Sequence, residues 1–274
     1  MSEKRKIKGK NIYLLVLALA TAAAIIVGLA VHSTGLFIKG EHIEETLYEG
    51  NSAEIKVLEI DSGVMSVNVH PGDTFKVSYS GDSTQKPAVT AVNGHLNIKQ
   101  DDKFTLNVSV SDSKLDVTLP PGTEFEGIYL DSGVGEMKAS DLKTRHMEIN
   151  SGVGHVEITG SDLGDLKAES GVGHINVTNT SLGNFTAESG VGEVKIEGCT
   201  VKDINVSSGT GRVKMQLKNS LADYYLELDA GVGGIIYNGK EINGSYVQNG
   251  NGGRCIIESD VGSVELTDPQ KKGE

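Results

Sequence analysis

Tryptophan is absent from this 274-residue chain, aromatic residues make up only 5% of it, and cysteine occurs twice. A core with few large rings must be built mainly from small branched side chains and tight turns, and glycine, at 35 copies, is the outstanding residue. Cys199 and Cys255 share no local motif. They can pair only if the fold brings them close in an exported protein; otherwise they are two partly buried thiols. There is no Cys-x-x-Cys, His-Glu-x-x-His or Gly-x-Ser-x-Gly, and no phosphate-loop Gly-Lys-Ser/Thr. The Gly-x-Gly pairs do not open a helix, as a dinucleotide fingerprint requires. Calcium-binding glycine rolls need Asp in their turns, where this chain has Val and His. These absences argue against an enzyme, and no catalytic residue, cofactor or metal ligand set is assigned.

Positive charge is scarce outside the first ten residues. That segment holds Lys4, Arg5, Lys6, Lys8 and Lys10 against one acid, leaving 20 basic and 36 acidic residues in the remainder, net −16. Such a body is a poor nucleic-acid ligand and repels anionic surfaces unless divalent cations bridge the two. Residues 12–31 then run for 20 positions without a charge. Twenty helical residues span about 30 Å, the thickness of a bilayer core, so this stretch is expected to be a transmembrane helix. The positive-inside rule leaves the basic tail, 1–11, in the cytoplasm and places the C-terminal body outside. The rival reading is a cleaved signal peptide, with Gly28-Leu29-Ala30 as processing site; the run exceeds the roughly 7 to 15 residues of a signal core. No Cys follows it that could carry a lipoprotein-type anchor.

Residues 32–52 read as a polar juxtamembrane linker without a core pattern. Between 53 and 127 apolar residues alternate with period two in short pieces: Glu54 to Ile60, Val64 to Val69, Phe75 to Tyr79, Ala88 to Val92, Leu96 to Lys99, Phe104 to Val110 and Leu115 to Leu119. Gly-, Pro- and Asn-containing turns separate them, which predicts an irregular section of strands. Leu119-Pro120-Pro121-Gly122-Thr123 reads as one such turn.

From residue 128 onward the chain is periodic. Ser-Gly-Val-Gly begins at Ser132, Ser151, Ser170 and Ser189 and Ser-Gly-Thr-Gly at Ser208, each 19 residues after the last. Looser copies start at Ala230 and Ser259, and an isolated Ser-Gly-Val at Ser62. In register, Ile128, Met147, Leu166, Phe185 and Ile204 form one apolar column and Leu130, Ile149, Ala168, Ala187 and Val206 the next. Beyond the glycines, Met137, Val156, Ile175, Val194 and Val213 form a third, and Ala139, Ile158, Val177, Ile196 and Met215 a fourth. Two half-buried strands per unit, joined at a glycine corner, predict an all-β, single-stranded β-solenoid with ~19-residue rungs, preceded by one transmembrane helix. The corner residues Val134, Val153, Val172 and Val191 are expected to point into the ladder. Regular repeats are placed at 128–223. Irregular repeats and a cap containing Tyr224, Tyr225, Tyr237 and Tyr246 are placed at 224–268, and a tail at 269–274.

Two outward columns are the candidate sites. Glu136, His155, His174, Glu193 and Arg212 place two imidazoles on neighbouring rungs between carboxylates, an arrangement that can hold Zn²⁺ or titrate in mild acid, or simply form a solvated face of mixed charge. Asp131, Asn150, Glu169 and Glu188 form an acidic column able to attract Ca²⁺ or to keep the protein soluble.

The N-terminal anchor, the Leu-Pro-Pro-Gly-Thr strand end at Leu119 and the Ser-Gly-Val-Gly units followed by alternating Val and Ile resemble the bacterial β-strand-repeat family labelled "putative adhesin", a domain of unknown function that includes LiaG-like envelope proteins. The resemblance spans about Ile55 to Leu266. It implies a membrane-attached, extracytoplasmic protein, in some members associated with regulators of envelope stress, and it brings no functional residues. The expected function is therefore non-catalytic binding or scaffolding in the cell envelope, with the membrane and an envelope component or protein as partners. The alternatives are a self-assembling filament and, less favoured because the turns are too short to build a catalytic groove, a carbohydrate-active β-helix enzyme.

Overall fold

The structure, a computed structural model, describes residues 40–51, 54–100 and 113–269. All of these except Gly40 belong to one compact unit. The apolar run at 12–31, the piece at 104–110 and the end of the tail lie outside the described residues. Among those described, no helix is long and apolar enough to cross a membrane.

The strands are β1 (His42–Gly50), β2 (Val57–Val64), β3 (Ser66–Pro71), β4 (Phe75–Asp82), β5 (Ala88–Val92), β6 (His95–Lys99), β7 (Lys114–Leu119), β8 (Glu124–Val134), β9 (Met137–Ser140), β10 (Lys143–Thr159), β11 (Asp162–Thr178), β12 (Ser181–Leu217), β13 (Tyr225–Tyr237), β14 (Lys240–Ile242), β15 (Ser245–Gln248) and β16 (Arg254–Leu266). Their limits follow the period-two pieces closely. The exception is β1, which occupies the stretch expected to be a linker. It pairs antiparallel with β4 and packs Ile43, Leu47 and Tyr48 against the core. Its acidic, only weakly alternating sequence hid it, because it covers an end of the stack instead of contributing to the interior.

Successive rungs are parallel and in register. β10 pairs with β11 so that Ile149 meets Ala168, Ser151 meets Ser170 and Val156 meets Ile175, and β11 pairs with β12 at the same columns. The four apolar columns deduced from the repeat are buried throughout. Each aliphatic side chain in them contributes on the order of 1.5 to 3 kcal/mol of transfer free energy before the entropy of ordering is subtracted. The turns closing the rungs use a left-handed residue at one stacked position: Asp141 (φ 53°), Gly160 (64°), Asn179 (51°) and Gly198 (64°). Asx and glycine alternate there for a packing reason: a Cβ on Gly198 would lie 2.7 Å from Asn179 Oδ1.

The regular stack is longer than the strict 19-residue period. Upstream, β2 and β3 form a rung of their own, with Ser62 opposite Ser132 and Val67 opposite Met137. Downstream, rung order departs from chain order: β16 lies between β12 and β13, pairing Ile204 with Cys255 on one side and Leu226 with Cys255 on the other. Both ends are closed by antiparallel strands, β5 on β6 and β1 on β4 at one end, and β14 and β15 on β13 at the other. Tyr237 and Tyr246 stack at 5.4 Å over the second end, while Tyr224 is buried and donates its hydroxyl hydrogen to the Val201 carbonyl.

The cysteines do not pair. Both are free and buried. Cys199 occupies the turn position held by Ser161 and Thr180 on earlier rungs, whose hydroxyls donate to Thr159 O and Thr178 O at 3.0 and 2.9 Å. Cys255 stacks in the Ile204 column, where burial pushes its thiol up to about 12.

Candidate functional site: the glycine corner and the outer columns

The Ser-Gly-Val-Gly corner changes which residues face inward. On β10 the inward positions before it are Met147, Ile149 and Ser151, and after it Val156 and Ile158. The inward set thus passes from odd to even numbers, so the bend absorbs one residue outside the alternation. That residue is the valine. Val134, Val153, Val172 and Val191 are 41%, 48%, 49% and 50% exposed, which corrects the expectation that they enter the ladder. Val261 and Val232 continue the row at 46% and 68%, with Thr210 between Val191 and Val261. The result is an exposed ridge of β-branched residues, repeated about every 4.8 Å.

Glycine on either side of the valine is required by the approach of stacked backbones. A Cβ on Gly171 would sit 2.6 Å from Gly152 O, and one on Gly173 would overlap Gly154 O while holding φ at 149°. The serine faces inward and is buried on every rung that carries it. The hydroxyls of Ser132, Ser151, Ser170, Ser189, Ser208 and Ser259 have no hydrogen-bond partner. Ser62 Oγ donates to Asp131 O at 3.1 Å, and Ala230 takes the place of serine on β13.

On one side of the ridge runs the mixed column. The structure brings His155 and His174 together, with ring centroids 4.9 Å apart and planes tilted by 52°. It does not bring free carboxylates to them. Glu136 pairs with Lys138 at 3.1 Å and Glu193 with Arg212 at 3.8 Å. Among the described residues no group of three His, Cys, Asp or Glu could hold a metal ion.

On the other side the acidic column is longer than the repeat alone indicated. Rung order extends Asp131, Asn150, Glu169 and Glu188 upstream to Asp61 and downstream through Ser207 to Glu258 and Asp229. Lys99 pairs with Asp61 at 2.9 Å and Lys167 with Glu169 at 2.6 Å and Glu148 at 3.0 Å. Hydrogen bonds to Glu169 and Glu148 hold the Lys167 ammonium above the usual lysine range. A shallow groove of about 560 Å³ runs beside this column, floored by the Ser-Gly backbone of four rungs. The sequence could have revealed the exposed valines through the change of parity. The looser copies at Ala230 and Ser259 also place Asp229 and Glu258 in the column, but their order along it could not have been read, because that depends on β16 being inserted between β12 and β13.

Parallel rungs with glycine corners, capped at both ends and carrying their polar residues in outward columns, define a repeat protein of the β-solenoid class. The chain belongs to the Toastrack DUF4097 family, a domain of unknown function, whose family model matches residues 55–241. Among solved structures it is similar to a "putative adhesin" of Bacteroides fragilis, at 15% identity over 82% of this chain and 97% of that one, with a TM-score of 0.54. It is also similar to a "putative cell adhesion protein" of Clostridium sporogenes (20% identity, 83% and 99% coverage, TM-score 0.42) and a "putative lipid binding protein" of Parabacteroides distasonis (16%, 82% and 96%, 0.41). At 15% identity the likeness to the Bacteroides structure speaks for the fold alone. No curated protein matches the sequence.

Proposed function

We propose that the chain is a non-catalytic binding or scaffold protein of the bacterial cell envelope, anchored through residues 12–31 with its rungs on the extracytoplasmic side. The observation that carries this reading is the valine ridge: a row of exposed apolar side chains flanked by an acidic column and a mixed one, a surface whose desolvation only a partner can supply. The adhesin name of the similar Bacteroides structure points the same way, and the family's unknown role leaves the partner open. The uncharged run and the basic residues before it support the anchor and its orientation.

The reading is tested by protease shaving of intact cells combined with capture of envelope extracts on the purified chain. The rungs should be digested from outside, and a specific envelope component should be captured by the wild type and lost with Val153→Thr/Val172→Thr/Val191→Thr. Protection from external protease, or capture indifferent to the triple variant, overturns it. End-to-end filament growth is disfavoured by the caps. β14 and β15 are only three and four residues long, and β1 carries Glu44, Glu45 and Glu49, features that blunt an open sheet edge. Sedimentation at high concentration should accordingly show no ladder of end-joined species.

A further inference from the structure

A concavity lies away from the ridge, on the turn side of the last rungs, where the β15–β16 loop lies against the turn at Leu221–Asp223. It is an open cleft of about 820 Å³, within the usual volume range of ligand sites. The loop reads Asn249-Gly250-Asn251-Gly252-Gly253 and lies beyond the end of the family match at residue 241. Its glycines are dictated by close packing. A Cβ on Gly250 would lie 2.5 Å from Asp223 O, one on Gly252 2.8 Å from the same oxygen, and one on Gly253 would overlap Lys202 O. Gly252 N–H donates to Asp223 O at 2.6 Å and Tyr225 N–H to Gly253 O at 2.9 Å, so the loop is held backbone to backbone. At its start, the Gln248 amide donates to Leu221 O at 2.9 Å.

A loop clamped in this way has two side chains, both carboxamides, and both line the cleft. Asparagine takes the left-handed conformation at Asn93, Asn179 and Asn238, but not at Asn249 or Asn251. A third carboxamide, Asn219, lines the same cleft, and its Oδ1 is buried without a hydrogen-bond partner. Thr200 and Ser181 add hydroxyls, and Tyr224 and Val201 supply an apolar floor.

We propose that this cleft is a binding site for a neutral saccharide. A carboxamide offers a donor and an acceptor side by side, matching adjacent sugar hydroxyls that both give and take hydrogen bonds, and three of them line this cleft, two on a loop held backbone to backbone. The cleft's single Lys202 and single Asp223 offset one another, which suits neither an anion nor a metal ion. A peptide is less well served: β16 is already paired on both sides by β12 and β13, and β15, at the other end of the loop, is only four residues long, which leaves little ladder for strand addition.

The test uses the labelled full chain, kept in a detergent without a sugar headgroup, on an array of immobilised neutral mono- and oligosaccharides, with titration calorimetry on the best-retained sugar. At least one saccharide should be retained, and Asn249→Ala/Asn251→Ala should weaken its binding by about tenfold or more, the loss expected when two hydrogen-bonding side chains are removed. The thermal transition should stay unchanged, because both residues are exposed and unstrained. Retention of no saccharide, or equal affinity in the double variant, overturns the proposal, as does binding of an unstructured peptide library in place of sugars. The valine triple variant should bind the saccharide like the wild type, which separates failure of this site from failure of the ridge.

Discussion

The middle rungs, β10 to β12, and the last two, β13 and β16, use the same columns but are assembled differently. In the middle, each strand stacks on the one 19 residues earlier, so every contact is short in sequence. At the C-terminal end, β16 must enter between β12 and β13, and its pairing with β12 joins residues about 50 positions apart, such as Ile204 and Cys255. The same corner chemistry serves local stacking and a non-local insertion alike. Cooperativity should differ between them, because an array with nearest-neighbour coupling opens most readily from its ends.

The largest effects test that difference directly. Gly173→Val, which drives a side chain into Gly154 O at a left-handed backbone position, should cost more than about 5 kcal/mol and remove the single unfolding transition. Gly262→Val creates the same overlap with Gly211 O on the inserted rung. It should confine the loss of hydrogen-exchange protection to β13 and β16; if both variants unmask all rungs alike, the two regions are one cooperative unit. Next in size, Phe185→Ala should cost about 3 to 5 kcal/mol by chemical denaturation, because its ring is buried between Leu166 and Ile204 in the stack.

Alkaline pH should act on the inserted rung. The Cys255 thiol is raised from 9.0 to about 12 by burial, so above pH 9 the unfolded chain releases a proton that the folded chain keeps. Stability should fall by about 1.4 kcal/mol per pH unit from 9 until the folded thiol itself ionises. Cys255→Ala should flatten that slope in pH-dependent melts while leaving neutral-pH behaviour similar in shape. A smaller effect of opposite sign is expected from Ser170→Ala. Its hydroxyl is buried without a partner and alanine already serves at residue 230, so the variant should gain about 1 kcal/mol. The smallest is Val172→Thr, within about 0.5 kcal/mol of wild type in denaturant midpoint, because the side chain is half exposed. A loss of several kcal/mol there would restore the inward valine.

Most of the solenoid was legible because its signal is repeated. Ile149, Ala168 and Ala187 could be placed in one column by counting, and the column is buried. The corner was misread because a strand's alternation was carried through a bend that interrupts it. β1 escaped because an end cap needs only one weakly apolar face, and the rung order escaped because no local pattern records which earlier strand a later one will join. The candidate columns were identified correctly as outward-facing. Arg212 was placed next to Glu193 by the same counting, but the sequence did not carry Lys138 on Glu136, or the carboxamide-lined cleft, whose residues come from four separated segments.

The in-register stacking of β10, β11 and β12 also bears on how such a chain can change over evolutionary time. Removing residues 162–180 would set β10 directly against β12 with Ile149 beside Ala187, Ser151 beside Ser189 and Gly154 beside Gly192, the four apolar columns and the glycine corner intact. Whole-rung gains and losses would therefore alter reach in steps of about 4.8 Å while preserving both caps, whereas a single-residue slip would turn every inward side chain outward. Length in this protein is a quantised trait, open to lineage-by-lineage adjustment without redesign of the core.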